Sequence, residues 1–411
     1  MRPRPDLLDD RAPAGLEIVQ VTTETDVPSS HIYMEAQIFT PDSRRLVLHR
    51  SAHAHGSDKD DPQHQYLLCD LSDGCSLSPL TTEVGATGPS LSPDGQYLYY
   101  FVNETETHGG RLTLKRVRLD GTARETLIVV DQALPGTSYR PSHIYPLSSI
   151  SSDGQRLALS CFLGDGTEAG ITWGLMVFDV AVASVSLIIE GPSWCNMHPQ
   201  YSRSTDPDRC RDILIQENHD NTADAVGKVT RLVGGLGAEI HVLRDDGTNF
   251  RTMPWGRDGN EFCQGHQCWR GRSDEAITST GTRQPPEAQL IEGRAVPDAG
   301  HIGRNSPGAE RNDLSRDFDS PQFYHFATDI AGKRLITDCG PLDEQASIWV
   351  ARFGAAGADA LSDWTYLLSP RCTCQKGSHL HPFLSPDGAT GFFNSDESGL
   401  LQAYMVTGFA P

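Results

Sequence analysis

Cys372-Thr-Cys-Gln-Lys-Gly-Ser-His-Leu-His-Pro-Phe-Leu-Ser-Pro-Asp-Gly388 carries two signals at once. Its second half, Leu384-Ser-Pro-Asp-Gly388, reads as a turn, with the apolar pair Phe392-Phe393 behind it. Its first half places His379 and His381 two residues apart, with Gln375 just upstream. Side chains alternate along a strand, so a strand entering this turn would point both imidazoles to one face. Two imidazoles and a nearby amide are part of what a metal site needs, although a His-x-His alone also fits a polar strand start.

The turn recurs. Phe39-Thr-Pro-Asp-Ser43 leads to Leu46-Val-Leu48, Leu91-Ser-Pro-Asp-Gly95 to Leu98-Tyr-Tyr100, and Ile150-Ser-Ser-Asp-Gly154 to Leu157-Ala-Leu159. Looser copies run from Tyr201 to Pro207 and from Trp269 to Asp274, and Ala327 to Gly332 leads to Leu335-Ile336. The aspartates at 42, 94, 153, 206, 274, 329 and 387 are 52, 59, 53, 68, 55 and 58 residues apart. After each hairpin comes a third apolar run, such as Leu175-Met-Val-Phe-Asp179 or Ile348-Trp-Val-Ala-Arg352, and in most units a fourth, such as Leu127-Ile-Val-Val130. Four short strands per period of about fifty residues describe a propeller blade.

The last unit stops at its third strand, near Val406, while Leu16-Glu-Ile-Val-Gln-Val21 precedes the first unit with nothing to pair with. Pairing these two would complete the seventh blade and remove the free sheet edges. The sequence therefore predicts an all-β, seven-bladed β-propeller in one domain over 1–411, its last blade closed by the N-terminal strand. Two stretches break the rhythm: a His/Asp-rich loop from Ser51 to Gln65, and residues 280–321, read as a long rim loop or lid.

The 411 residues carry a net charge of −20, which argues against a nucleic-acid partner. No apolar run follows the N-terminus and none reaches 18 residues, so a cytoplasmic protein with no membrane partner is expected. In that setting the ten cysteines would be free thiols.

Seven of the 15 histidines, namely His31, His143, His198, His266, His325, His379 and His381, fall just before a repeat turn, where the innermost strand of a blade starts. In a closed ring these positions converge on one mouth, which points to a metal or catalytic site. His219, in Gln216-Glu-Asn-His-Asp220, ends a second strand and is placed near the same mouth. The other histidines read as surface. Cys263, Cys268, Cys372 and Cys374 flank the same segments, but their spacing is not that of the usual zinc sites.

In three places, Trp194-Cys-Asn-Met-His-Pro-Gln-Tyr201, Gly265-His-Gln-Cys-Trp269 and Gln375 to Asn394-Ser-Asp396, the chain resembles the oligogalacturonate lyases, a polysaccharide lyase family. More distantly it resembles the propeller domain of TolB. The resemblance implies a seven-bladed propeller and a divalent ion, Mn²⁺ first, with Zn²⁺, Ni²⁺ or Fe²⁺ as alternatives. It implies His266, His379, His381 and Gln375 as ligands and His198 as the base. The family places its glutamine three residues before the first histidine, where Lys376 stands here. Its His-Glu-Gly-Pro segment is Gln216-Glu-Asn-His219 here. The arginine it carries before the base has no counterpart, and Arg203 and Lys376 are the substitutes considered. With His143 and His219 they make up the expected substrate-binding residues.

The implied reaction is β-elimination on an acidic, uronate-containing oligosaccharide, with a histidine removing the weakly acidic C5 proton. Two alternatives belong to other classes: a non-catalytic propeller that binds a protein partner, and a metal-dependent hydrolase on the same fold.

Overall fold

The computed structural model describes the chain apart from residues 54, 59, 233–236, 256–260, 282–287, 296–310, 342–344, 355–359, 376 and 410–411. Lys376 and half of 280–321 thus lie outside the described residues. Those described form strands, turns and three single-turn 3-10 helices, with no α-helix among them.

The repeat turn is built by its own side chains. In the second unit Ser92 Oγ donates to Asp94 Oδ1 at 2.5 Å, and the amides of Gln96 and Tyr97 donate to Asp94 Oδ1 and Ser92 Oγ. The chain reverses at Gly95, whose φ of +68° favours glycine. Ser151/Asp153/Gly154 and Ser385/Asp387/Gly388 repeat this turn. Each turn joins the first strand of a blade to the second.

Five separate four-stranded antiparallel sheets follow, each meandering outward from its first strand. A nine-stranded sheet holds two further units, joined through one parallel bridge between Ser29 and Gln402. In the first of these, Ser29–His31 pairs with Arg45–Arg50, then Gln65–Asp70 and Ser76–Pro79 follow. In the second, Phe383–Leu384, Gly391–Ser395 and Gln402–Thr407 are completed by Glu17–Gln20 from the N-terminus, with Arg2–Pro3 beyond it. The expected closure by the N-terminal strand is thus observed, and the described residues form seven such units.

Hydrogen bonds between successive inner strands close the ring. They run from Leu91 N to Gln37 O, Ser90 Oγ to Ser148 O, Tyr201 N to Ser149 Oγ, and Trp269 Nε1 to Gln200 O. They continue from Thr328 Oγ1 to Trp269 O, Ile330 N to Pro386 O, and Asp387 N to Ser43 Oγ. The blades are covered on both faces. Leu46, Val47 and Leu48 are all fully buried, and Phe101 meets Phe178 edge-on at 4.9 Å between blades 2 and 3.

The stretch 280–321 departs from its reading as one long loop. Ala288–Arg294 and Arg311–Asp313 are the third and fourth strands of blade 5. The pattern was hidden because buried Glu292 interrupts it, neutralised by Arg270 at 3.1 Å.

Candidate active site

Imidazoles from blades 4 to 7 meet at the end of the channel where the inner strands begin. His266 and His325 have ring centroids 4.6 Å apart, His325 and His381 4.5 Å, and His379 and His381 5.4 Å. His198 lies 6.3 Å from His266. Ligand nitrogens of His325, His379 and His381 come within 4.8 Å of one another.

Local backbone geometry produces this convergence. His198, His266 and His381 have φ of +49°, +55° and +41°, a left-handed conformation uncommon outside glycine. At His266 the pairing of Phe262–Trp269 with its neighbour shifts register on both sides of Gly265, a bulge that re-aims the side chain. The strand of blade 7 starts only at Phe383. His379 and His381 therefore share a site through the turned backbone at His381, not through the alternation expected of a strand.

Charge and burial favour metal binding. Nδ1 of His266 and of His379, and both ring nitrogens of His381, are buried without a hydrogen-bond partner. Such nitrogens cost free energy unless something fills the site. Burial lowers the pKa of His379 to about 4 and those of His266 and His381 well below the ordinary value, so all three are neutral donors at pH 7. His325 gives Nδ1 to Asp338 Oδ2 at 2.6 Å, and that carboxylate also takes the His325 and Tyr324 amides. This leaves Nε2 of His325 for a ligand bond, the arrangement common behind metal-bound histidines. The residues present fit a divalent ion.

His198 is held differently. Its Nδ1 lies 2.9 Å from Glu35 Oε2, a buried carboxyl whose pKa is raised by burial and drawn back by His198 itself. The Tyr145 hydroxyl lies 3.0 Å from Nε2, and the Tyr33 ring packs at 5.5 Å. Burial keeps both tyrosines protonated, raising their pKa well above the usual value.

Four of the five residues expected to carry metal or chemistry thus converge: His198, His266, His379 and His381. Gln375 is exposed, and it is His325 that shares a group of potential ligands with His379 and His381. Of the expected substrate-binding residues, Lys376 lies outside the described residues, and the other three have partners outside the histidine group. His143 is exposed beside Phe162, with centroids 6.0 Å apart. His219 bonds Glu239 at 2.9 Å, beside a second group of Glu217, Glu239 and His241. Arg203 follows His198 by five residues along an extended segment, roughly 16 Å, and donates to Thr328 O beyond the histidines. The ten cysteines are free, and none belongs to either group of potential ligands among the described residues.

Several site residues were not singled out by the sequence. Tyr33 and Glu35 lie in the first blade between the inner strand and its turn. Tyr145 enters from the loop before blade 3, and Asp338 from a second strand. His55, read as surface, is exposed, yet its ring stands 5.0 Å from His379 and 5.6 Å from His381. The His/Asp-rich composition of Ser51 to Gln65 was the available signal for it.

No family model matches the chain, and no curated protein does. Solved structures share its fold. An oligogalacturonate lyase from Vibrio parahaemolyticus aligns with a TM-score of 0.67 at 16% identity, over 96% of this chain and 94% of its own. An oligogalacturonate lyase in complex with manganese gives 0.64 at 18%, over 96% and 93%. The β-propeller domain of Cps50 from Myceliophteria thermophila gives 0.50 at 11%, over 93% and 100%. At such identities the likeness establishes the propeller fold.

Proposed function

We propose that this chain is a divalent-metal-dependent lyase of uronate-containing oligosaccharides, chemically akin to the oligogalacturonate lyases whose fold it has. One observation carries the reading: neutral, partnerless imidazole nitrogens converge beside a histidine whose far nitrogen is held by a buried carboxyl.

His266, His325, His379 and His381 would hold the ion; all-imidazole donors suit Zn²⁺, Ni²⁺ or Fe²⁺ and also accept Mn²⁺, the ion of the solved lyase complex. When bound, the ion neutralises the uronate carboxylate and stabilises negative charge developing at the adjacent carbon. The remaining roles belong to this chain's own side chains. Glu35 fixes the His198 proton on Nδ1 and leaves Nε2 with its lone pair. His198 takes the C5 proton, the freed pair forms the C4–C5 double bond, and the C4–O bond breaks. The departing oxygen needs a proton, and the Tyr145 hydroxyl is the nearest donor to His198 Nε2.

The test is incubation of purified protein with a panel of uronate oligosaccharides, with added Mn²⁺ or with chelator. The ultraviolet absorbance of the unsaturated uronate product is followed. A rise abolished by the chelator is the expected result. No rise from protein that elemental analysis shows to hold metal would replace this reading with the hydrolase. No rise and no metal would leave the binding propeller.

A further inference from the structure

At the opposite end of the channel lies a cavity of about 320 Å³, walled by residues of all seven blades around the repeat turns. No histidine of the site lines it. Its wall is largely apolar, with Phe39, Leu91, Ile150 and Phe383 among the contributors, and its only charged groups are Arg203 and Arg272.

Neither arginine has a carboxylate partner among the described residues. Arg203 donates one hydrogen bond, from Nη1 to Thr328 O at 3.3 Å, and burial lowers its pKa. The carboxylate acting on it from nearby is Asp329, whose Oδ1 is already taken by the amides of Lys333 and Arg334 at 2.7 and 3.0 Å. Arg272 stands exposed on the next blade's turn. An unpaired guanidinium against an apolar wall is costly unless an anion completes it. The contrast is sharp in a chain of net charge −20 in which buried Arg4 is paired with Glu397.

We propose that this end of the channel binds a small carboxylate with an apolar body. The carboxylate meets Arg203 and Arg272, and the body lies against Phe39, Leu91, Ile150 and Phe383. Its volume of about 320 Å³ limits the occupant to a small molecule. The site is separate from the histidine cluster and does not depend on the lyase reading.

Calorimetric titration of the full chain with sodium octanoate tests this, with 1-octanol and acetate as controls. Saturable binding of one octanoate per chain is expected, with octanol and acetate at least about tenfold weaker, since a charge-assisted hydrogen bond contributes about 1.5–3 kcal/mol. Arg203→Gln should weaken octanoate about tenfold or more, and Arg203→Lys less. Circular dichroism and thermal melting check that each variant folds. Should Arg203→Gln not fold, Arg272→Gln, on an exposed turn, carries the test with an expected loss of affinity. Three results would overturn the proposal. Octanoate could fail to saturate, octanol could bind as tightly, or the folded glutamine variant could bind octanoate with unchanged affinity.

Discussion

His198 and His381 illustrate how similar residues acquire different tasks from their partners. His198 has a carboxyl on Nδ1, so its lone pair is directed, whereas both nitrogens of His381 are unpaired and buried. His198→Ala should therefore abolish turnover while elemental analysis still finds metal. His381→Ala should lose both. In the proposed reaction Glu35 acts through His198, as a positioning residue. Glu35→Gln should lower kcat by roughly 10²-fold or more with KM little changed, and should alter the limb of the pH–rate profile that reports the base. An unaltered profile would leave Glu35 a structural residue. Asp338→Asn should weaken metal affinity by about 10–100-fold, measured by titration with Mn²⁺. At this scale His198, His266, His379 and His381 were legible, because a position before a repeat turn is a sequence property. Glu35, Tyr145 and Asp338 were not, because Glu35 comes from three blades away, Tyr145 from the loop before the neighbouring blade, and Asp338 from the paired second strand of the His325 blade, none of which the repeat position marks.

Among the elements, the N-terminal strand has the most exposed task, since it closes the seventh blade. Arg4 anchors it by pairing with Glu397, both nearly buried, with Asp6 on its other side. Arg4→Ala leaves Glu397 buried and unpaired and should destabilise the chain by about 3 kcal/mol, read in denaturant melts. A second tie joins the first two blades. Glu83 meets Lys115 Nζ at 2.7 Å and Arg124 Nη1 at 2.9 Å. Burial alone would raise its pKa, but these cations and the Tyr100 hydroxyl outweigh it and hold it at about 2. A carboxylate depressed in the folded state adds stability above its unfolded pKa and loses it as pH falls through the folded one. Wild type should thus be more stable than Glu83→Gln at pH 7, and the gap should close between about pH 4.3 and about 2. An equal gap at both ends of that range would assign the effect to packing. Blade 5 marks the limit of reading elements from pattern: its third strand carries buried Glu292, which is tolerated only because Arg270 neutralises it.

For the whole molecule, the buried histidines set the response to acid. His31 and His379 are held at about 4 by burial, against about 6.5 in an unfolded chain. Below pH 6.5 the unfolded chain takes up protons that the folded one refuses, so stability should fall from pH 6.5 toward 4. A divalent ion binds the folded, neutral imidazoles and should raise Tm at pH 7, by the equivalent of about 2.7 kcal/mol at a hundredfold excess over Kd. That gain should shrink as the pH is lowered. Melting curves from pH 7 to 4, with Mn²⁺ and with chelator, check both. A chelated protein whose Tm stays constant over this range would contradict the burial seen for these rings.

The sequence by itself determined the propeller and its closure. The period of the turns, the apolar runs and the orphan strand at Leu16 to Val21 are local signals repeated often enough to add up. It also placed four site histidines, since a repeat converts position in a unit into position in space. Only the tertiary structure decided which groups meet them. The ring brings Glu35 to His198 from three blades away and sets His325 where Gln375 was expected. It also carries Arg203 to the opposite mouth. The inner strand runs away from His198 toward its turn, so near neighbours in sequence take part in different surroundings. Left-handed backbone at His198, His266 and His381 aims the rings, and only the packing around those residues holds them in that conformation.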